Sequence, residues 1–274
     1  MSNFRDDELP LAARLLEGFT LFSTELVAAM FKAVFKNISQ VVLKNRANYL
    51  AASNEWSQFV DSVLIVRVAG KVTSEADSGY IFTRLARDLF EIPEQRILSP
   101  QAALEQLRRQ PQGNIVFVDD FVGTGEQFVE MWDRVHQLTA AWSSFKALAQ
   151  TTGAGSIGFF YVPLVCAERG RKHIQQNCPQ VKLLPAHFLA PSYSALAPDS
   201  VIWREDMQST GPKFIEEVSA RAGLRDLDGA EGCWRGYQKL GLTLAFEHGV
   251  PDATLPLFTV ASAHWKPLVI PAAA

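Results

Sequence analysis

The chain has little cysteine: Cys166, Cys178 and Cys233 are its three, an odd number with no CxxC pair and no metal-site spacing. That argues against a disulfide-stapled scaffold or a zinc module and predicts reduced thiols in a cytoplasmic protein. No apolar stretch is long enough to span a bilayer without proline or charge, so no membrane partner is expected. Neither sign of charge dominates. The net charge is −3 and the pI about 6.0, so no global field draws nucleic acid or an acidic membrane, which leaves only a local patch for such a role. The five histidines show no metal spacing. There is no internal repeat and no low-complexity segment beyond a short alanine tail. The opening residues, Met1 to Glu8, are polar and acidic, unlike a signal peptide.

What remains is a globular chain. Apolar residues make up 48% of 274, enough for one generous domain or for a core with extensions. Leu15, Phe19, Phe22, Leu26, Met30 and Val34 recur at spacings of three and four. The pattern predicts a long amphipathic helix running toward Tyr49 in one or two pieces. It is read either as an N-terminal extension or as a helix covering the core.

Val63 to Ala69 reads as a buried strand, Gly70 to Gly79 as a loop, and Tyr80 to Phe90 as a helix capped by Asp77 or Ser78. Pro100 to Arg109 is a second short helix, and a turn at Pro111-Gln112-Gly113 leads into a strand over Ile115–Val118. Phe128, Met131, Trp132, Val135, Leu138, Trp142 and Phe145 predict one unbroken helix that ends at Gly153-Ala154-Gly155. A strand over Ile157–Val165, a basic helix over Glu168–Asn177 and a strand over Leu183–Leu189 follow. Past Pro191 elements shorten. A helix over Pro212–Ala222, an alternating strand at Leu240, Leu242, Leu244 and Phe246, and a return segment over Thr254–Val260 are expected. Strand–helix alternation predicts an α/β fold on a mostly parallel sheet. Residues 1–54 are assigned to a helical extension, 55–190 to the core and 191–274 to a mixed cap packed on it.

The run Asn114 to Phe128 carries the chemistry. Apolar residues lead into Asp119 and Asp120, then into the glycine-flanked loop Phe121-Val122-Gly123-Thr124-Gly125-Glu126-Gln127 and a helical pattern. A buried strand ending at the acids would present both at its carboxyl end. The loop would aim backbone N–H groups outward, with a helix N-terminus behind them. That geometry suits a sugar phosphate, with carboxylates for hydroxyls or a hydrated metal ion and N–H groups for the phosphate.

Ile115 to Gln127 resembles the type I phosphoribosyltransferases. The resemblance implies a Rossmann-like phosphoribosyltransferase core. It implies that Asp119 and Asp120 face the ribose 2′- and 3′-hydroxyls of phosphoribosyl pyrophosphate, and that Phe121 to Gln127 wraps the 5′-phosphate. It further implies a pyrophosphate loop at Ala69, Gly70 and Lys71, with Lys71 supplying charge, and Mg2+ held by Asp119 and Asp120 through water. The stretch Gly236 to Phe258, followed by Trp265-Lys266-Pro267-Leu268, is similar to the tail of phosphoribosyltransferase-like effectors of bacterial conflict systems. These include anti-phage modules coded beside retron reverse transcriptases. Asp77-Ser78-Gly79 fits the same group. The resemblance spans Leu64 to Leu268 and leaves out the N-terminal helices. It implies an effector acting on phosphoribosyl pyrophosphate or a nucleotide. Companion defence proteins (a reverse transcriptase with its nucleic acid, or a protease) are implied as partners, with oligomer formation allowed. An ordinary salvage or regulatory phosphoribosyltransferase and a non-catalytic binding module are the alternatives.

The chain also departs from that family. Its loop ends Thr124-Gly125-Glu126-Gln127 where strongly active members carry Thr-Gly-Gly-Thr. A carboxylate about 4 Å from a phosphate is repelled by roughly 1–4 kcal/mol. Glu126 therefore either points away and supports the helix or weakens phosphate binding. Elsewhere, Arg169 to His173 is a basic cluster that fits a solvated helix face, a phosphate or a nucleic-acid strand. Arg84 and Arg87 fit structural ion pairs or contacts to the substrate, and His248, beside Glu247, fits a structural role or reach toward a base. Tyr193, Trp203 and Trp234 fit core packing or a base-stacking hood.

Overall fold

A computed structural model describes residues 3–44, 47–68, 70, 79–151 and 156–269. The chain divides into two compact units, Ala28–Phe188, and Met1–Val27 together with Leu189–Ala274. The residues 1–54 expected as one extension are thus shared between the two units.

The first helices are α1 (Leu9–Glu17), α2 (Thr24–Asn37), α3 (Ser39–Val42) and α4 (Tyr49–Ser62), with strand β1 (Thr20–Phe22) between α1 and α2. The single long helix that the spacing predicts is therefore broken. The reason is non-local: β1 pairs in parallel with β10 (Leu244–Phe246), Thr20 beside Leu244, and the Thr20 N–H donates to the Thr243 carbonyl at 2.9 Å. The partner strand also falls short of its expected length. Gln238, Lys239 and Gly241 have positive φ, which no strand accommodates, so the alternation from Leu240 becomes a strand only at Leu244.

The larger unit is an α/β sandwich. Its strands are β2 (Leu64–Arg67), β3 (Ile97–Leu98), β4 (Gly113–Val122), β7 (Ile157–Ala167), β8 (Val181–Leu183) and β9 (His187–Leu189). They run in the order β3-β2-β4-β7-β8, all parallel, with β9 also pairing β7. The expected mostly parallel sheet is present. The strand expected over Leu183–Leu189 is split into β8 and β9 around Pro185, which has no N–H to give a ladder.

Alternation along β4 sorts the two faces. Ile115 and Phe117 meet a core built from α6 (Pro100–Arg109), α7 (Glu126–Asp133), α8 (Phe145–Thr151) and α9 (Glu168–Asn177). Phe117 meets Phe128 and Phe145 edge-on at 5.3 and 5.0 Å. The other face is covered by α4 and by α5 (Gly79–Phe90). There Phe59 meets Phe160 at 5.9 Å, and Phe35 stacks on Phe90 at 4.2 Å. α6 starts where its sequence says: Pro100 is its first residue, and the Ser99 hydroxyl accepts from the Ala102 N–H at 3.3 Å.

The unbroken helix expected over Phe128–Phe145 is absent. α7 stops at Asp133, and a hairpin of β5 (His136–Gln137) and β6 (Trp142–Ser143) precedes α8. Val135 and Trp142, which kept the helical period, are 58% and 65% exposed. The hairpin is held by α6. Glu105 accepts from the Thr139 N–H at 3.1 Å, and Gln101 donates to the Gln137 carbonyl at 2.8 Å. Ser144 then caps α8, accepting from the Ala147 N–H at 3.1 Å.

The second unit packs α1 and α10 (Gly211–Arg221) around Trp203, Phe258 and Trp265. Buried Glu8 ties its ends together. Both carboxylate oxygens accept from Arg221, at 2.9 and 2.7 Å, and Arg5 adds a second guanidinium.

Candidate functional site

Counted in chain order within the sheet, the strand order is 2-1-3-4-5, with β2 first and β4 third. From β2 the chain winds one way to β3; from β4 it winds the other way to β7. In open α/β sheets the crevice at such a reversal, beyond the strands' carboxyl ends, is where ligands bind. Here β2 follows β4 only as far as Arg67 beside Val118, with one more bond from the Val68 N–H to the Val118 carbonyl. The next two residues of β4 are Asp119 and Asp120. The topology therefore sets the acid pair at the switch point.

The strand does not end at the acids, as the sequence reading expects. β4 continues along β7, pairing Phe121 with Val165 and Val122 with Cys166. The long partner β7 supplies ladder bonds, so Phe121 and Val122 are strand residues and Val122 joins the core. The loop proper is Gly123-Thr124-Gly125. Gly125 has φ +79°, a left-handed turn into α7, and a side chain there would strike the Gly170 carbonyl at 2.9 Å. The N–H groups of Gly123, Thr124 and Gly125 enter no backbone hydrogen bond among the described residues. With the N-terminus of α7 behind them, they suit an anion. Thr124 is buried, and its hydroxyl accepts from the Glu126 N–H at 3.4 Å. Glu126 is half-buried in the first turn of α7, and Gln127 is exposed.

The two acids differ in setting. Asp120 is half-buried. Asp119 is buried, its Oδ2 accepting from the Tyr161 hydroxyl at 2.8 Å and its Oδ1 from the Asp120 N–H at 3.0 Å. Burial, and then the neighbouring Asp120 charge, push its carboxyl well above the ordinary aspartate value. Asp119 thus already accepts one hydrogen bond on each oxygen, and Asp120 is the more accessible of the two acids. No group of three His, Cys, Asp or Glu side chains that would hold an ion occurs among the described residues.

Of the expected pyrophosphate loop, Gly70 is placed and Ala69 and Lys71 lie outside the described residues, as do Asp77 and Ser78. The Gly70 carbonyl accepts from Arg134 at 2.9 Å.

The model of one family, PRTase-CE, matches residues 1–270. The chain belongs to the PRTase-CE family. This is a phosphoribosyltransferase-like family, and its match takes in the N-terminal helices, for which the motifs gave no sign. Among solved structures, this PRTase-CE chain is similar to the orotate phosphoribosyltransferase from Aeropyrum pernix. Identity is 17% over 54% of this chain and 75% of that chain, with a TM-score of 0.28. No curated protein matches the chain.

Sequence reasoning misses three residues of the site: Tyr161, Gly170 and Arg134. Gly170 sat inside what reads as a basic cluster, yet it is the point where α9 touches the loop. A Cβ there would lie 2.7 Å from the Gly123 carbonyl oxygen and 3.2 Å from the Gly125 nitrogen. The cluster's neighbours are structural. Arg171 pairs with Glu168 at 2.6 Å and lies over the Phe188 ring, and Lys172 meets the same Glu168. Arg87 pairs with Asp88 and Glu94. His248 stacks on Phe246, while Trp203 is buried and donates to the Ala195 carbonyl. Trp234 packs on the same core as Trp203, so core packing accounts for both.

All three cysteines are buried and form no disulfide. Burial pushes the Cys166 and Cys178 thiols up to about 12, which leaves them inert. A polar cleft of about 370 Å3 opens at the opposite, amino end of the strands, beside Gln106, Gln110 and Asn114. Its lining carries no charge. The acid pair and the loop lie at the other end, where the topology directs ligands. No helix among the described residues is long and apolar enough to cross a membrane.

Proposed function

We propose that this protein binds phosphoribosyl pyrophosphate, or a nucleotide of the same ribose 5′-phosphate pattern, in the crevice at the carboxyl end of β4. The supporting observation is the placement of an acid pair and a glycine-flanked loop, ahead of a helix N-terminus, at the reversal of strand order. Asp120 would orient the ribose hydroxyls, with Asp119 behind it. The N–H groups of Gly123 to Gly125 would hold the 5′-phosphate. Ala69, Gly70 and Lys71 would face the pyrophosphate. Mg2+, held by Asp120 through water, would neutralise charge on that pyrophosphate. In the transferase reading, the bond from ribose C1′ to the pyrophosphate oxygen breaks as a base nitrogen bonds to C1′. Positive charge builds at C1′, and the chain's part is orientation and fixed electrostatics.

The release of pyrophosphate from phosphoribosyl pyrophosphate with Mg2+ and a panel of bases tests this reading. Turnover with one base supports a salvage-type transferase. Binding that is lost in Asp120→Asn, without any turnover, supports a binding module. Neither binding nor turnover contradicts the reading.

The biological setting we infer is bacterial anti-phage defence. It is supported by the tail from Gly236 to Leu268 and by the departure of Glu126 and Gln127 from the loop of strongly active transferases. Infection assays with the folded Asp119→Asn/Asp120→Asn double variant test it. Loss of protection is expected, and full protection would remove the site from the defence role.

A further inference from the structure

Two adjacent acids are naturally assumed to share one job. Their surroundings say otherwise. Tyr161 is 1% exposed and lies in register with Phe117 on the neighbouring strand. Its hydroxyl reaches forward to Asp119 at 2.8 Å. Its ring stacks on Phe128 of α7 at 4.1 Å, with 10° between planes. One phenol therefore links the acid strand, the neighbouring strand β7 and the helix that starts behind the phosphate loop. Strand alternation then carries Asp120 to the opposite face from Tyr161.

We propose that Tyr161 is a positioning residue that withdraws Asp119 from the substrate and leaves Asp120 as the one acid that meets the ribose. The proposal rests on the reading under "Proposed function" and divides the roles within that site.

Calorimetry of phosphoribosyl pyrophosphate with Mg2+ on the full chain separates the acids. In Asp119→Asn the Tyr161 hydroxyl can turn to accept from the new amide, and affinity should fall by no more than about threefold. In Asp120→Asn a charge-assisted contact is lost, and affinity should fall about 10- to 100-fold. Tyr161→Phe keeps the ring on Phe128 and removes only the hydroxyl. A second readout needs no ligand: the proton NMR signal of the Tyr161 hydroxyl. It should be resolved in wild type, held by Asp119, and lost in Asp119→Ala and in Tyr161→Phe. Equal losses in the two Asn variants, or a Tyr161 hydroxyl that exchanges as freely in wild type as in Asp119→Ala, would overturn the proposal. A wild-type chain that binds no phosphoribosyl pyrophosphate would sink the function reading instead, and the hydroxyl signal would still decide whether Tyr161 holds Asp119.

Discussion

Replacing Gly170 with alanine asks whether α9 sets the position of the phosphate loop. In an open helix the change is favourable by about 1 kcal/mol, because alanine is the better helix former. Here the new methyl would sit 2.6 Å from Val122 Cγ1, 2.7 Å from the Gly123 carbonyl oxygen and 3.2 Å from the Gly125 nitrogen. Two of those three neighbours are backbone atoms of the loop and cannot rotate away. To reach ordinary contact, the loop must retreat from α9 by about 0.7 Å. Overpacking of this kind costs about 1–3 kcal/mol. Set against the helix gain, the net loss should be about 0–2 kcal/mol, read by urea denaturation. The loop N–H groups shift with the backbone, so phosphoribosyl pyrophosphate affinity should drop about tenfold or more under conditions where the variant is folded. A variant as stable as wild type or more so, with unchanged affinity, would refute the argument that α9 sets the loop.

Three further outcomes follow from the same coordinates. The Arg221 hydrogen bonds hold the buried Glu8 carboxyl at about 2, below its ordinary value of 4.5. The stability it adds, about 2–3 kcal/mol, is present above pH 4.5 and is lost as pH falls toward 2. Denaturation across that window should show the loss in wild type and not in Glu8→Gln; parallel curves would contradict it. Phe117→Ala removes a fully buried ring that meets Phe128 and Phe145 and should cost about 3–5 kcal/mol in chemical denaturation, whereas a cost below about 1 kcal/mol would contradict the packing. Arg134→Ala frees the Gly70 carbonyl. Ligand affinity should fall about 3- to 10-fold with thermal stability nearly unchanged, and an unaltered affinity would remove Arg134 from the site.

The parts of this protein that read well from sequence are those with local causes. Helices α6 and α9 match their predicted bounds because their apolar positions and flanking residues act within one turn. The placement of the acid pair and the loop glycines ahead of a helix was legible because these residues are consecutive. The failures trace to distant partners. β1 exists because of a strand more than two hundred residues away, and α7 ends early because α6 side chains capture the hairpin backbone. Trp142 kept the helical period by chance and faces solvent. Tyr161 was hidden for the same reason. On its own strand it is one more apolar residue, and its meaning comes only from the register that sets it beside Phe117, from where its hydroxyl reaches Asp119.

The central claim is that a ribose 5′-phosphate sits at the reversal of strand order, its hydroxyls over Asp120 and its phosphate on the loop amides. A crystal structure of the full chain grown with phosphoribosyl pyrophosphate and Mg2+ tests it most directly. The account predicts the phosphate within hydrogen-bond reach of the Gly123, Thr124 and Gly125 nitrogens and the ribose hydroxyls beside Asp120. A ligand seated at the amino end of the strands, or a loop whose amides turn away from it, would contradict the account.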